Sequence, residues 1–101
     1  MKILRSTIVH PRSNDEAAAI ELLRELDRHL AGMPGFIESY ELESDVKGQT
    51  LGRVGIWESR EAVDHAANDT HTLAVRSRLL SHCHDDCQEL IFDIVGERHA
   101  P

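Results

Sequence analysis

This chain has little with which to staple itself or to grip a polyanion. Its 101 residues include two cysteines, Cys83 and Cys87, too few for the disulfide framework of a small secreted domain. No apolar run approaches the ~20 residues that span a bilayer. The first residues, Met1 to Ser6, lack the apolar stretch of a signal peptide. The expectation is a cytoplasmic protein with no membrane contact. Lys and Arg number 11 against 18 Asp and Glu, a net charge of −7, and they form no basic cluster. A phosphate backbone or an acidic lipid surface would repel such a chain, so no nucleic-acid partner is expected. Gly-x-Gly-x-x-Gly, Walker and Gly-x-Ser-x-Gly motifs are all missing, which leaves nucleotide, Rossmann-flavin and serine-hydrolase chemistry without local support. Aromatic residues are scarce: one Trp, one Tyr and two Phe.

What is present has a regular order. A chain of this length is expected to form one domain, 1–101. It buries only about 60–70% of its unfolded surface, so association with a second copy would help it. Ile3 to Val9 is β-branched and apolar and stops at His10-Pro11, which reads as strand one. Ser13 and Glu16 stand at capping-box spacing. From there Ala19, Leu22, Leu23, Leu26, Leu30 and Met33 form one helical stripe, ended by Gly32 and Pro34-Gly35. Phe36, Glu38, Tyr40 and Leu42 alternate with Ile37, Ser39 and Glu41 as strand two. Asp45 to Gly48 makes a turn, and Thr50 to Glu58 is strand three. A second helical region runs from about Ser59 to Leu80, broken near Asn68-Asp69. Cys87 to Glu97 is strand four.

The order β-α-β-β-α-β predicts an α+β, ferredoxin-like split β-α-β: a four-stranded antiparallel sheet with both helices on one face. Several strands carry apolar residues on both sides. The face without helices therefore needs cover, and a second copy, giving a homodimer, is the simplest cover.

The stretch from Leu51 to Leu80 locates a candidate site. A strand ends at Trp57, Ser59 can cap the next helix, and His65 and His71 follow. Trp57 either lines a pocket between sheet and helix or anchors the core there. His71 is a candidate catalytic group, suited to polarise an oxygen or carry a proton; it could equally help start the helix after Asn68-Asp69. His65 is a weaker binding candidate. Arg53 shares a strand face with Trp57. If that face meets the helices, its guanidinium could bind a carboxylate or phenolate; if it meets a partner subunit, it is an interface ion pair. Arg5 carries the same ambiguity. Tyr40 is a further hydrogen-bond donor for a ligand. His82-Cys83-His84-Asp85-Asp86-Cys87 offers metal-ligand types at short spacing. It has neither a Cys-x-x-Cys nor a second cluster to close a tetrahedral site, so no native metal is assigned to it.

Pro34-Gly35-Phe36 with Tyr40, and Trp57-Glu58-Ser59-Arg60-Glu61-Ala62 followed by His71, resemble the helix-to-strand and strand-to-helix segments of the antibiotic biosynthesis monooxygenase family. The resemblance implies a dimeric α+β barrel and a cofactor-independent monooxygenase acting on an electron-rich aromatic, a quinol or polyketide-type phenol. Trp57, Arg53, Tyr40 and His65 would line the substrate site, and His71 would be catalytic. The haem-degrading branch uses an asparagine on strand one and a tryptophan on the second helix. Here strand one offers Ser6 and Thr7, and the second helix has no tryptophan, so no cofactor is expected. The competing reading is a non-catalytic ligand-binding or interaction module on the same fold.

Overall fold

A computed structural model describes residues 1–101. The elements are β1 (Ile3–Val9), α1 (Glu16–Ala31), β2 (Phe36–Glu43), β3 (Leu51–Trp57), α2 (Arg60–Ala67), α3 (Thr70–Ser81) and β4 (Gln88–Asp93). The four strands form one antiparallel sheet in the order β2-β3-β1-β4, as the ferredoxin-like pattern requires. No helix is long and apolar enough to cross a membrane.

The core lies between the sheet and the helices. α1 contributes Ala19, Leu22, Leu23, Leu26 and Leu30 from one stripe. They meet Ile3 and Val9 of β1 and Leu51 and Trp57 of β3. α2 adds Val63 and Ala66, and α3 adds Val75 and Leu79. Each of the two later helices is capped by its own sequence. Ser59 Oγ accepts from the Ala62 amide at 3.1 Å, and Asp69 Oδ2 accepts from the Thr72 amide at 3.2 Å. The expected capping box of α1 does not form: the helix starts at Glu16 with Asp15 at the N-cap and no side-chain cap bond. Asn14, at φ 74°, turns the chain before it.

Register fixes which side chains face the helices. Ile3, Arg5, Thr7 and Val9 of β1 pair with Trp57, Gly55, Arg53 and Leu51 of β3. Ile91 and Glu89 of β4 lie opposite Arg5 and Thr7. Strand two departs from simple alternation. A bulge between Phe36 and Glu38 inserts Ile37 and flips the residues beyond it. Phe36 thus faces the helices, edge-on to Trp57 with ring centroids 5.5 Å apart, whereas Glu38, Tyr40 and Leu42 face the other way. That other face carries Leu4, Ile8, Tyr40, Leu42, Val54, Ile56, Leu90 and Phe92, and no helix covers it. Tyr40, Leu42, Leu90 and Phe92 are exposed there.

Two glycines answer to space. A Cβ on Gly52 would stand 2.8 Å from the Thr7 carbonyl oxygen, so β1 and β3 approach closely there. Gly35 has φ +84°, and a Cβ on it would overlap Ala62 Cβ. Its carbonyl accepts from the Glu58 amide at 2.9 Å. The helix-to-strand and strand-to-helix stretches are therefore in contact. Strand four is shorter than its sequence pattern, ending at Asp93. After the Ile94 amide donates to the Lys2 carbonyl at 3.0 Å, the chain leaves the sheet, and Val95 is exposed.

Leu79 of α3 is fully enclosed in the core, whereas Leu73 of the same helix is 46% exposed. Leu79→Ala should cost about 2–5 kcal/mol and Leu73→Ala no more than about 0.5 kcal/mol; urea unfolding of the two variants checks the contrast.

Candidate active site

A small cavity lies beneath the helices at the centre of the sheet. Its walls are Arg5, Thr7, Arg53, Trp57 and Glu89 from the strands, Leu26 and Leu30 from α1, Val63, Ala66 and Ala67 from α2, and Thr72 and Arg76 from α3. The open space within measures about 20 Å³, room for one water and no more. Half of the lining is apolar, and the remainder is dominated by charge.

The charges are ordered. Arg53 is 1% exposed, and its Nε donates to Asp27 Oδ1 of α1 at 2.9 Å. Burial pushes the pKa of this guanidinium down, and the Asp27 hydrogen bond opposes the shift; arginine remains protonated regardless. Across the cavity Arg76 grips Glu89 through Nε at 2.6 Å and through Nη2. Arg5 Nη2 lies 3.6 Å from the same carboxylate. Three guanidiniums thus share two carboxylates.

Two donors have no protein acceptor, Arg53 Nη2 and Trp57 Nε1. Both are buried, and both reach the same place. They stand 2.7 and 3.1 Å from where a Cβ of Gly55 would be. A buried donor without an acceptor costs about 1–3 kcal/mol; a Cβ at position 55 would displace one of the two, so glycine is what lets both pack down on β3.

The residues singled out from the sequence separate in space. Trp57 and Arg53 line the cavity, and so does Arg5. Trp57 is at once cavity wall and core anchor, 1% exposed. Tyr40 is on the helix-free face, where its hydroxyl donates to Glu38 Oε2 at 2.8 Å; that bond raises its pKa. The bulge at Ile37 put it there. His65 is exposed on α2 and lines no part of the cavity. His71 is exposed too; it is Thr72, one residue on and about 100° around α3, that faces inward.

His71 belongs to a different group. Its ring packs on His29 of α1 with centroids 4.3 Å apart. His29 Nε2 donates to Asp69 Oδ2 at 2.6 Å, and Asp69 caps α3. The elbow between α2 and α3 is tied to α1 through this pair. The His29 hydrogen bond, seconded by the Thr72 amide, holds the Asp69 carboxyl below the usual carboxylate range. In the hexapeptide, the side chains diverge. Cys83 is buried in the core, His82 Nδ1 contacts Asp15 Oδ1 at 3.1 Å, and no three metal-capable side chains gather anywhere in the chain.

Arg76, Glu89, Thr7, Thr72 and Asp27 are the site residues that local sequence reading missed. Thr72 and Arg76 are spaced i, i+4 on α3, a usable signal for one helix face. Glu89 opposite Thr7 depends on strand register.

No family model matches the sequence, and no curated protein does. Solved structures match it in fold over nearly the whole chain. Rv0793 from Mycobacterium tuberculosis superposes with a TM-score of 0.88 at 18% identity, covering 98% of this chain and 100% of that one. A mutant form of SnoaB, a cofactor-independent oxygenase from Streptomyces nogalater, gives 0.84 at 14% identity and 95% of each chain. A structure described as an antibiotic biosynthesis monooxygenase gives 0.82 at 16% identity, with 95% and 100% covered. The chain thus has the fold that these proteins share.

Asp69 supplies a pH test of the elbow. Its depressed pKa stabilises the fold above the unfolded carboxylate value of about 3.9, and that contribution disappears as pH falls through the lower folded value. Asp69→Asn should unfold more readily than the parent at neutral pH, and the difference should shrink below about pH 4; thermal unfolding across that range measures it.

Proposed function

We propose that this chain is a monooxygenase of the antibiotic biosynthesis type, cofactor-independent, acting on an electron-rich aromatic such as a quinol or a polyketide-type phenol. The fold supports the reading. The observation that carries it is a cavity, walled half by apolar groups, with a buried guanidinium and a buried indole at its floor. A deprotonated aromatic can itself deliver electrons to oxygen. The protein then has to orient the ring, exclude bulk water and stabilise negative charge on oxygen. The Trp57 indole supplies a wall for the ring, and Arg53 supplies the positive charge. With room for only one water at rest, a substrate ring enters when the wall moves. α2 is the candidate door: it has eight residues, of which only Val63 and Ala66 are buried, and its elbow with α3 is tied to α1 by the Asp69–His29 pair. His71 acts in this reading as a positioning residue at the elbow.

The working form is a homodimer joined through the helix-free sheet face. Eight apolar side chains lie on that face, half of them exposed, more than an isolated chain usually leaves open. The free thiols of Cys83 and Cys87 suit a reducing, cytoplasmic setting.

A second reading has its own support. The cavity lining contains no histidine, and its single carboxylate, Glu89, is held by Arg76 and Arg5. No free proton acceptor stands against a bound substrate, which suits a binding module without turnover.

Oxygen uptake separates the two. Purified protein without flavin, haem or added reductant should consume oxygen with an aromatic quinol faster than buffer alone. Saturable binding with uptake at the buffer rate across a quinol panel would establish the module instead. His71→Ala should retain turnover within about tenfold, below the 10²–10⁴-fold loss expected of a general acid–base. For the dimer, light scattering at micromolar concentration should give twice the chain mass. Phe92→Glu, which plants a charge on the exposed face, should give a folded monomer.

A further inference from the structure

We infer that Cys83 and Cys87 form a peroxide-reactive thiol pair: Cys87 meets the oxidant, Cys83 resolves it, and the product is a disulfide within one chain.

Register brings the two together. Ile8 pairs with Gln88, and the same register carried one step further sets Cys87 beside Val9. Pro11 bridges to Cys83. The Arg12 amide on the His82 carbonyl at 3.0 Å and the His84 amide on the His10 carbonyl at 2.8 Å flank that bridge. Cys83 is thus two positions from Cys87 along one edge of the first strand. The residues between them, His84-Asp85-Asp86, are exposed and take up the extra length as a bulge. Two strand positions span roughly 6.6 Å, and a disulfide joins Cα atoms about 4.4–6.8 Å apart. Cys83 belongs to the core, and Cys87 packs against that core. Both side chains therefore lie on the helix side of the sheet, and the chain has no third thiol to compete.

Environment divides the roles. Cys83 is fully enclosed. Burial pushes its thiol pKa up; Arg12 opposes this, and Cys87 and Asp15 add to it. A buried, protonated thiol is a poor first nucleophile. Cys87 is partly exposed and stands in the field of Arg76, whose pKa is raised mainly by its Glu89 hydrogen bond and further by Cys87. Partial exposure beside a cation is where a thiol meets peroxide.

The chemistry balances with hydrogen peroxide as oxidant. The Cys87 thiolate attacks one peroxide oxygen; the S–O bond forms, the O–O bond breaks, and the hydroxide released takes up a proton. Cys87 is then a neutral sulfenic acid. Its charge no longer holds the Cys83 pKa up, while Arg12 still favours the thiolate. Cys83 attacks the Cys87 sulfur; the S–S bond forms, the S–O bond breaks, and hydroxide leaves as water. Two thiols lose two electrons, and one peroxide becomes two waters. The bridge pins the start of β4 to the Val9–Pro11 end of the first strand, two residues before Glu89 of the cavity wall.

Stoichiometric peroxide added to the reduced protein tests the pair. Free thiols, counted after unfolding, should fall from two per chain to none, and dithiothreitol should restore them. Peptide mapping without reductant should show Cys83 joined to Cys87 of the same chain. Cys83→Ala should stop at the sulfenic acid, trapped on Cys87 by dimedone. In Cys87→Ser, Cys83 should react at least about tenfold more slowly than the parent, as a buried thiol does. Cys87 is only half-buried, so this variant serves if Cys83→Ala does not fold. Two free thiols after peroxide, a disulfide only between chains, sulfinic acid without a disulfide, or parent-like reactivity of Cys83 in Cys87→Ser overturns the inference.

Discussion

A guanidinium buried at the centre of the sheet organises this molecule. Taking Arg53 out of water is tolerable only because Asp27 meets it, and breaking such a pair strands a charge. The pair joins β3 to α1, so the longest helix is fixed over the central strands at the point where the cavity opens. Trp57, on the same strand face, then packs under α1 and α2 with Phe36 against its edge. Glu89 and its two arginines close the far side. Arg53 and Asp27 therefore take a place that a domain of this size would ordinarily fill with aliphatic side chains, beside one continuous apolar core.

The fold was legible because its signals are local. The leucine stripe of α1, the β-branched run of β1 and the Ser59 cap each follow from spacing and residue type within one element. The site was legible to the extent that it shares one strand: Arg53 and Trp57 fall on one face by simple alternation. What sequence could not supply was azimuth and register. His71 and Thr72 are neighbours in the chain, yet one faces solvent and the other the cavity. Tyr40 was lost to a bulge that nothing in Phe36-Ile37-Glu38 announces. Glu89 and Asp27 reach the site from distant parts of the chain, through pairings that only the folded sheet and helix define. Strand four read too long because its apolar alternation continues past Asp93, where hydrogen bonding to β1 stops.

The likeness to other structures and the arrangement of this site bear on different questions. At 14–18% identity the shared feature is the path of the backbone. The Arg53–Asp27 pair, the Arg76–Glu89–Arg5 group and the unpaired Trp57 indole N–H are properties of these side chains. Function on a widely used fold is decided at that level.

The closed cavity has a consequence for affinity. If only a small fraction of molecules has the α2–α3 elbow open, a ligand binds that fraction, and its apparent dissociation constant is the intrinsic one divided by the open population. The strength of the Asp69–His29 tie then sets both the resilience of the resting fold and the weakness of binding. Loosening it would make the protein less stable and its ligand tighter, so the two properties are opposite readings of a single equilibrium.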